Sequence, residues 1–194
     1  MSESGHEVTR ILQRIADGDP AANDDLLAIV YAQLHALARS HFRGPNDGPQ
    51  TLQPTALVHE AYVKLFGEKS PSFANSDHLM AVAASAMRTI LVDRARARAT
   101  AQRGQNPVRV PLDSILVPYE DEGISVIDLD DALKRLALVS QQASRIVEMR
   151  FFGGLEMKGI ARVLGVSVKE VERDWRTARA WLRRELSPDA GPRP

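Results

Sequence analysis

The stretch LEMKGIARVLGVSVKEVERDWRTARAWLRREL, residues 155–186, decides the fold expected for the C-terminal part of this chain. Apolar residues recur at helical spacing on both sides of Gly165, which interrupts the pattern. Ser167 is placed to cap a second helix, and Glu170 stands where a capping box needs its acidic member. The sequence therefore predicts two helices joined by a tight turn at Gly165.

The second of these predicted helices has two chemically different faces. Its apolar face contains Val171, Trp175, Ala178, Leu182 and Leu186, and we expect Trp175 to lie in the core. Its basic face contains Arg173, Arg176, Arg183 and Arg184. This pattern is typical of a helix-turn-helix whose second helix enters the major groove, where arginines contact phosphates or guanine edges. The alternative is an ordinary amphipathic hairpin with a solvated arginine face.

Composition restricts the class of protein. The chain has 194 residues, 44% of them hydrophobic, which suffice for one large domain or two small ones. The absence of cysteine excludes disulfides and thiolate metal sites and fits an intracellular, cytoplasmic location. No apolar run is long enough for a membrane helix, and the segment MSESGHEVTR lacks the apolar core of a signal peptide, so we expect no membrane association.

The remaining periodicities predict helices in both halves and no convincing strand. These helices are expected at residues 7–16, from 23 or 24 to about 41, from 54 to about 67, at 76–103, at 130–138, and directly after Ser140 as the cap. The prolines and acidic residues of 104–128 predict a linker. We therefore expect an all-α protein with two helical domains, 1–103 and 129–187, a flexible acidic linker at 104–128, and a disordered tail at 188–194.

The end of the long helix at 76–103 is rich in arginine, although the formal net charge of the whole chain is zero. The arginines of this segment are Arg88, Arg94, Arg96, Arg98 and Arg103. Only Asp93 opposes them locally, which favours a surface that contacts phosphates. A solvated helix end is the alternative, because arginine is favourable near a helix C-terminus in any case.

An acidic run at 120–131 lies between the two arginine-rich surfaces. It allows two interpretations. The run folds back on one of these surfaces and covers it in the free protein, or it is a solvated linker.

No catalytic constellation is found. His59 and Glu60 resemble the start of a zinc-binding HExxH motif, but Val63 stands where the second histidine is required. The chain has neither a GxxxxGK[ST] phosphate loop nor a GxSxG nucleophile elbow. We expect no enzymatic activity, no metal and no cofactor.

Three segments together resemble extracytoplasmic-function (ECF) sigma factors of the sigma-70 family. They are LVHEAYVKL at 57–65, ILVDRARAR at 90–98, and IARVLGVSVKEVERDWRTARAWLRREL at 160–186. The resemblance covers about residues 7–186. Within the family, the three segments look like the subfamily with LQPTALVHEAY-type sequence in its first domain. It implies a factor that directs RNA polymerase core to specific promoters and initiates transcription, with a sigma-2-like domain at 1–103 and a sigma-4-like domain at 129–187.

The resemblance also implies roles for particular residues. The helix from Leu57 would dock on the clamp helices of the largest polymerase subunit, and the polymerase flap is a further expected contact. The residues expected to bind polymerase are Leu57, His59, Glu60, Val63 and Lys64. The long helix would bind and help melt the downstream promoter element, and the last helix would read the upstream element. The residues expected to bind DNA are Arg88, Arg94, Arg96, Arg98, Lys169, Arg173, Arg176 and Arg183.

The start of the expected docking helix departs from the family pattern. Many relatives carry acidic residues where this chain has Pro54, Thr55 and Ala56, which questions whether the helix binds polymerase unaided. A phosphate on Thr51 or Thr55 would supply negative charge near the helix N-terminus. Thr51, in the loop GPQTLQP, is the better candidate, and the regulator would then be a Ser/Thr protein kinase instead of an anti-sigma factor. Alternatively, Thr55 only starts the helix and neither threonine is modified.

Two other classes of protein remain open. One is a helix-turn-helix regulator whose N-terminal half senses a ligand or forms a dimer, and the other is a purely structural helical module. The segment VDRARAR at 92–98 distinguishes them from a sigma factor, because a sensor domain has no need of such a basic surface.

Overall fold

The computed structural model describes residues 3–19, 21–41, 54–66, 73–101, 109–110 and 124–186. Helices account for 87% of the structure, which confirms the all-α class. In chain order the elements are α1 (Glu3–Ala16), α2 (Ala21–His41), α3 (Pro54–Phe66), α4 (Ser76–Ala101), β1 (Arg109–Val110), β2 (Ile124–Ser125), α5 (Val126–Val139), α6 (Gln141–Phe151), α7 (Met157–Leu164) and α8 (Val168–Leu186). Across these ranges no helix combines the length and apolarity needed to cross a membrane.

The first four helices form one group. Helix α1 contacts α2, α2 contacts α3, and α4 packs against both α1 and α3. The core between them is built from long aliphatic side chains, and Leu57, Leu79, Met87 and Leu91 are fully buried. Burial of such side chains is what holds short helices together, because isolated helices of this length are marginal in water.

The last four helices form a second group in which α8 packs against α5, α6 and α7. Ser140 joins α5 to α6 and serves both of them. Its backbone N–H donates to Leu136 O at 2.7 Å at the end of α5, and its Oγ accepts from the Ala143 N–H at 3.1 Å at the start of α6. The predicted cap of α6 at Ser140 is thereby confirmed.

The two groups of helices are in contact, because α4 also packs against α5, α6 and α7. The buried apolar residues accordingly form one cluster that extends through both groups. We call the arrangement in which α4 packs against α5, α6 and α7 the closed form. The division into domains at 1–103 and 129–187 stays a prediction.

Of the segment expected to be a linker, 104–128, the structure describes residues 109–110 and 124–128. Both pieces contain regular structure. Strands β1 and β2 are antiparallel and pair Arg109 with Ser125 and Val110 with Ile124. Alternation cannot be recognised over two residues, so the sequence did not predict these strands. Helix α5 begins at Val126, earlier than the predicted residue 130, because Val126 and Leu129 are buried and Asp128 lies in its favourable first turn. The predicted tail at 188–194 and residues 120–123 of the acidic run lie outside the described residues.

Candidate nucleic-acid interface

The turn between α7 and α8 is held by Gly165 and by a capping box. Gly165 has left-handed backbone, with φ 67°, and the Val166 N–H donates to Ala161 O at 3.1 Å. The Glu170 N–H donates to Ser167 Oγ at 3.2 Å, and the Ser167 backbone N–H donates to Glu170 Oε2 at 2.9 Å. These bonds confirm the capping box that the sequence predicts. The Ser167 hydroxyl and backbone N–H lower the pKa of Glu170 from its usual value.

The left-handed backbone of Gly165 predicts a measurable cost for alanine at this position. A Cβ built on Gly165 meets no atom within 4 Å, so only backbone strain opposes the substitution. We expect Gly165→Ala to lower the free energy of unfolding by about 1–2 kcal/mol, and Gly165→Asn to lower it less, because asparagine tolerates this conformation. Urea denaturation of the full-length variants measures both values. Equal losses for alanine and asparagine would contradict the explanation.

Helix α8 separates its apolar and basic faces as predicted. Val171, Ala178 and Leu182 are fully buried, and Trp175 is 6% exposed. The basic side chains on the other face are exposed: Lys169, Arg173, Arg176, Arg183 and Arg184. Arg173 is 64% exposed, and its Nε donates to Asp174 Oδ1 at 3.0 Å. The helix behind the capped turn thus exposes cations to solvent in its first turns, at Lys169, Arg173 and Arg176, and again near its end, at Arg183 and Arg184.

Arg88 of α4 lies in the contact between the two helix groups and not on an open surface. Its side chain is 16% exposed, and Nη2 lies 2.9 Å from Asp130 Oδ1 of α5. Its Nη1 lies 2.5 Å from Glu148 Oε2 of α6. Two carboxylates from different helices therefore pair with one guanidinium group and compensate its charge at this partly buried position.

Asp130 is shared by three cations, and its side chain is only 7% exposed. Besides Arg88, it accepts from Arg96 Nη2 at 3.1 Å and from Lys134 Nζ at 2.7 Å. Burial acts to raise the pKa of Asp130, but the hydrogen bonds from Lys134 and Arg88 outweigh it and hold the pKa below the usual 3.8. The ionised carboxylate therefore stabilises the fold at any pH above the usual pKa of an aspartate. This contribution is lost as the pH falls through the lower pKa that Asp130 has in the folded protein. We call Arg88, Arg96, Asp130, Lys134 and Glu148 the Arg88 cluster.

The expectation that only Asp93 opposes the arginines of the long helix was wrong. Arg94 pairs with Glu60 of α3, with Nε 2.9 Å from Glu60 Oε2, and Arg88 and Arg96 pair within the Arg88 cluster. The opposing carboxylates come from α3, α5 and α6, which are distant in sequence, so a local count of charges could not find them. The side chains of Arg98 and Arg103 lie outside the described residues.

Helix α3 carries the residues expected to bind polymerase. His59, Glu60, Val63 and Lys64 are exposed, and Val63 is 51% exposed although it is apolar. Leu57 is fully buried, so in the closed form it supports the helix from the core side. The pair between Glu60 and Arg94 joins this surface to the basic end of α4.

A second contact between the groups joins the start of α4 to α7. Arg162 Nε lies 2.7 Å from Asp77 Oδ2. Gly159 lies beneath the same carboxylate, since a Cβ built on it would be 2.7 Å from Asp77 Oδ1. The missing side chain of Gly159 therefore allows α7 to approach α4 closely. The sequence did not predict this pair or the part played by Glu148, and it offered Asp130 only as a member of the acidic run.

The sequence model of the ECF sigma factor family matches residues 5–188, which is nearly the whole chain. The chain belongs to the ECF sigma factor family. No curated protein sequence matches it significantly.

As an ECF sigma factor, the protein acts in transcription initiation and binds RNA polymerase core and promoter DNA. Members of the family are non-catalytic initiation factors, which agrees with the prediction that this chain is not an enzyme. The predicted DNA-binding residues of the sigma factor fall into two groups. The cations of α8 are exposed, whereas Arg88, Arg94 and Arg96 of α4 are held by carboxylates.

Proposed function

We propose that this sigma factor divides its work between three helices, as the LQPTALVHEAY-type subfamily would. Helix α3 docks on the clamp helices of the largest polymerase subunit, α4 binds the downstream promoter element, and α8 reads the upstream element. The domains would span 1–103 and 129–187, with 104–128 as the linker between them. The observation that carries the proposal is the two-faced α8 behind a capped turn, with buried Trp175 and exposed Arg173 on opposite sides.

The assignment of residues follows from exposure and charge. On α8, Lys169, Arg173, Arg176 and Arg183 would meet phosphates or guanine edges. On α4, Arg88, Arg94 and Arg96 would contact the downstream element once their carboxylate partners are displaced, and Arg98 would contact it as well. On α3, the exposed His59, Glu60, Val63 and Lys64 would form the polymerase surface, with Leu57 anchoring it.

The first turn of α3 supports a role for phosphorylation in polymerase binding. The helix begins at Pro54 and has no acidic residue in its first turn. Free backbone N–H groups and the helix dipole favour a negative charge at this end. A phosphate on Thr51, just ahead of the helix, would supply close to two negative charges there. A Ser/Thr kinase acting on Thr51, or less favourably on Thr55, would then switch the sigma factor on, in place of an anti-sigma factor.

Pull-down of RNA polymerase core, made without any kinase, tests this switch. We expect Thr51→Glu to retain polymerase, because a carboxylate partly replaces the phosphate, and we expect wild type and Thr51→Ala to retain little. Run-off transcription with the same three proteins should follow the same order. The matched control is Ala28→Glu, which introduces the same charge at an exposed position in the N-terminal half of α2.

Two outcomes are informative. Strong polymerase binding by Thr51→Ala would refute the phosphorylation switch and leave the docking role of α3 intact. Loss of polymerase binding by Lys64→Glu or Val63→Asp in the Thr51→Glu background would support that docking role, and unchanged binding would refute it.

A further inference from the structure

The surface of α4 proposed to contact DNA is covered in the closed form. Arg88 is held between Asp130 of α5 and Glu148 of α6, and Arg96 also pairs with Asp130. With 16% of its side chain exposed, Arg88 cannot meet a DNA phosphate while α5 and α6 stay in place. The acidic run of the sequence thus reaches the basic surface through Asp130, one of the three acidic residues of the run that α5 carries.

We propose that the Arg88 cluster is an autoinhibitory contact, in which Asp130 and Glu148 occupy the guanidinium groups that promoter DNA would otherwise bind. This inference rests on the DNA role proposed for α4. Promoter phosphates and the carboxylates of α5 and α6 then compete for the same cations. DNA binding by α4 requires the second helix group to move away from it.

The ion pairs of the Arg88 cluster lie next to a solvent-accessible cleft, which favours reversible opening of the contact between the two helix groups. A cleft of about 250 Å³ lies beside the cluster and is lined by the polar side chains Ser85, Thr89 and Asp93 as well as by the cluster itself. Water therefore reaches the ion pairs from one side. Exchanging a carboxylate for a phosphate oxygen at the same guanidinium group keeps the charge paired and costs little, whereas removing the carboxylate charge leaves the cations unpaired and is destabilising.

Asp130 is the residue whose neutralisation should open the protein. Its Oδ1 accepts from Arg88, and its Oδ2 accepts from both Arg96 and Lys134. Asparagine at this position has the same shape but would place an amide N–H₂ against cations. The change Asp130→Asn therefore converts three attractive contacts into weak or repulsive ones without leaving a cavity.

Asp128 provides a matched control on the same helix. It is exposed in the first turn of α5 and makes no ion pair to a described residue. Asp128→Asn changes the net charge by the same amount as Asp130→Asn. Any general gain in DNA affinity from added positive charge is therefore common to both variants.

Two measurements on the free, full-length protein test the proposal. Small-angle X-ray scattering reports opening directly, and we expect a larger radius of gyration for Asp130→Asn than for wild type or Asp128→Asn. Fluorescence anisotropy with a short labelled DNA duplex of mixed sequence reports access to phosphates. We expect Asp130→Asn to bind this duplex at least about tenfold more tightly at low salt, as for a protein whose open form is a minor species. The difference should shrink as salt screens the cluster.

An engineered disulfide between α4 and α7 distinguishes opening from misfolding. It should hold the two helix groups together and so reverse the opening expected for Asp130→Asn. A Cβ at Gly159 would lie 3.3 Å from Asp77 Cγ, close to the roughly 3 Å between a sulfur and the opposite Cβ in a disulfide. The chain has no cysteine, so oxidation acts only on the introduced pair. In the triple variant Asp130→Asn, Asp77→Cys, Gly159→Cys, we expect oxidation to restore the compact radius and the weak DNA binding, and reduction to abolish both.

The outcomes separate this proposal from the function proposed for α4. An unchanged radius of gyration in Asp130→Asn would overturn the autoinhibitory contact and leave the DNA role of α4 untouched. Expansion without tighter DNA binding would overturn the competition, and the failure would then lie in the DNA role proposed for α4. Equal gains in Asp130→Asn and Asp128→Asn would likewise overturn it, as a general effect of charge.

Discussion

Trp175→Ala is expected to unfold the C-terminal helix group at ordinary temperature, with a loss of about 3–5 kcal/mol in the free energy of unfolding. Trp175 is 6% exposed, and it lies on the buried face of α8, which packs against α5, α6 and α7. Alanine would remove the largest side chain of that face and leave a cavity that surrounding helices cannot fill. A loss of this size is a large fraction of the whole stability of a typical domain.

The second tryptophan of α8 provides the control. Trp181 is partly buried at the edge of the core, so Trp181→Ala should cost clearly less than Trp175→Ala. Thermal and urea denaturation followed by circular dichroism measure both losses. Similar losses for the two variants would contradict the assignment of Trp175 to the centre of the α8 core.

The double variant Arg173→Ala, Arg176→Ala is expected to lose most specific promoter binding by the holoenzyme. Each arginine that contacts guanine through both its donors contributes roughly 1–3 kcal/mol, and a contact to phosphate alone contributes less. Both side chains are exposed on α8, and neither is part of the core, so the fold should remain intact. The measurement is the affinity of the reconstituted holoenzyme for promoter DNA that it transcribes.

Lysine variants at the same positions separate the two kinds of contact. Arg173→Lys and Arg176→Lys keep the charge but lose the fork of donors that recognises guanine. Strong loss with lysine would indicate base recognition, and near-normal binding would indicate phosphate contacts. Unchanged promoter binding by a folded double alanine variant would refute the docking of α8 in the major groove.

Local patterns allowed the turn and the last helix to be predicted accurately from the sequence. The capping box of Ser167 and Glu170, the cap at Ser140 and the buried position of Trp175 are each determined by residues within about two helical turns. Apolar spacing over such distances reflects one face of one helix. These features therefore needed no knowledge of how the helices pack together.

The Arg88 cluster could not be predicted in this way. Arg88 and Asp130 are 42 positions apart, and Arg88 and Glu148 are 60 apart. The sequence left open whether the acidic run folds back or is solvated, because either arrangement satisfies the same charges. Only the packing of α4 against α5 and α6 decides that Asp130 faces the arginines.

The dual role of Ser140 limits how this part of the chain can change in length. One residue ends α5 through its backbone and starts α6 through its hydroxyl. An inserted residue beside it would leave one of the two helices without its terminal hydrogen bond. It would also turn the start of α6 by about 100° around its axis, since a helix has 3.6 residues per turn. Evolution can therefore exchange Ser140 for another capping side chain, such as threonine or aspartate, more readily than it can add or delete a residue at this joint.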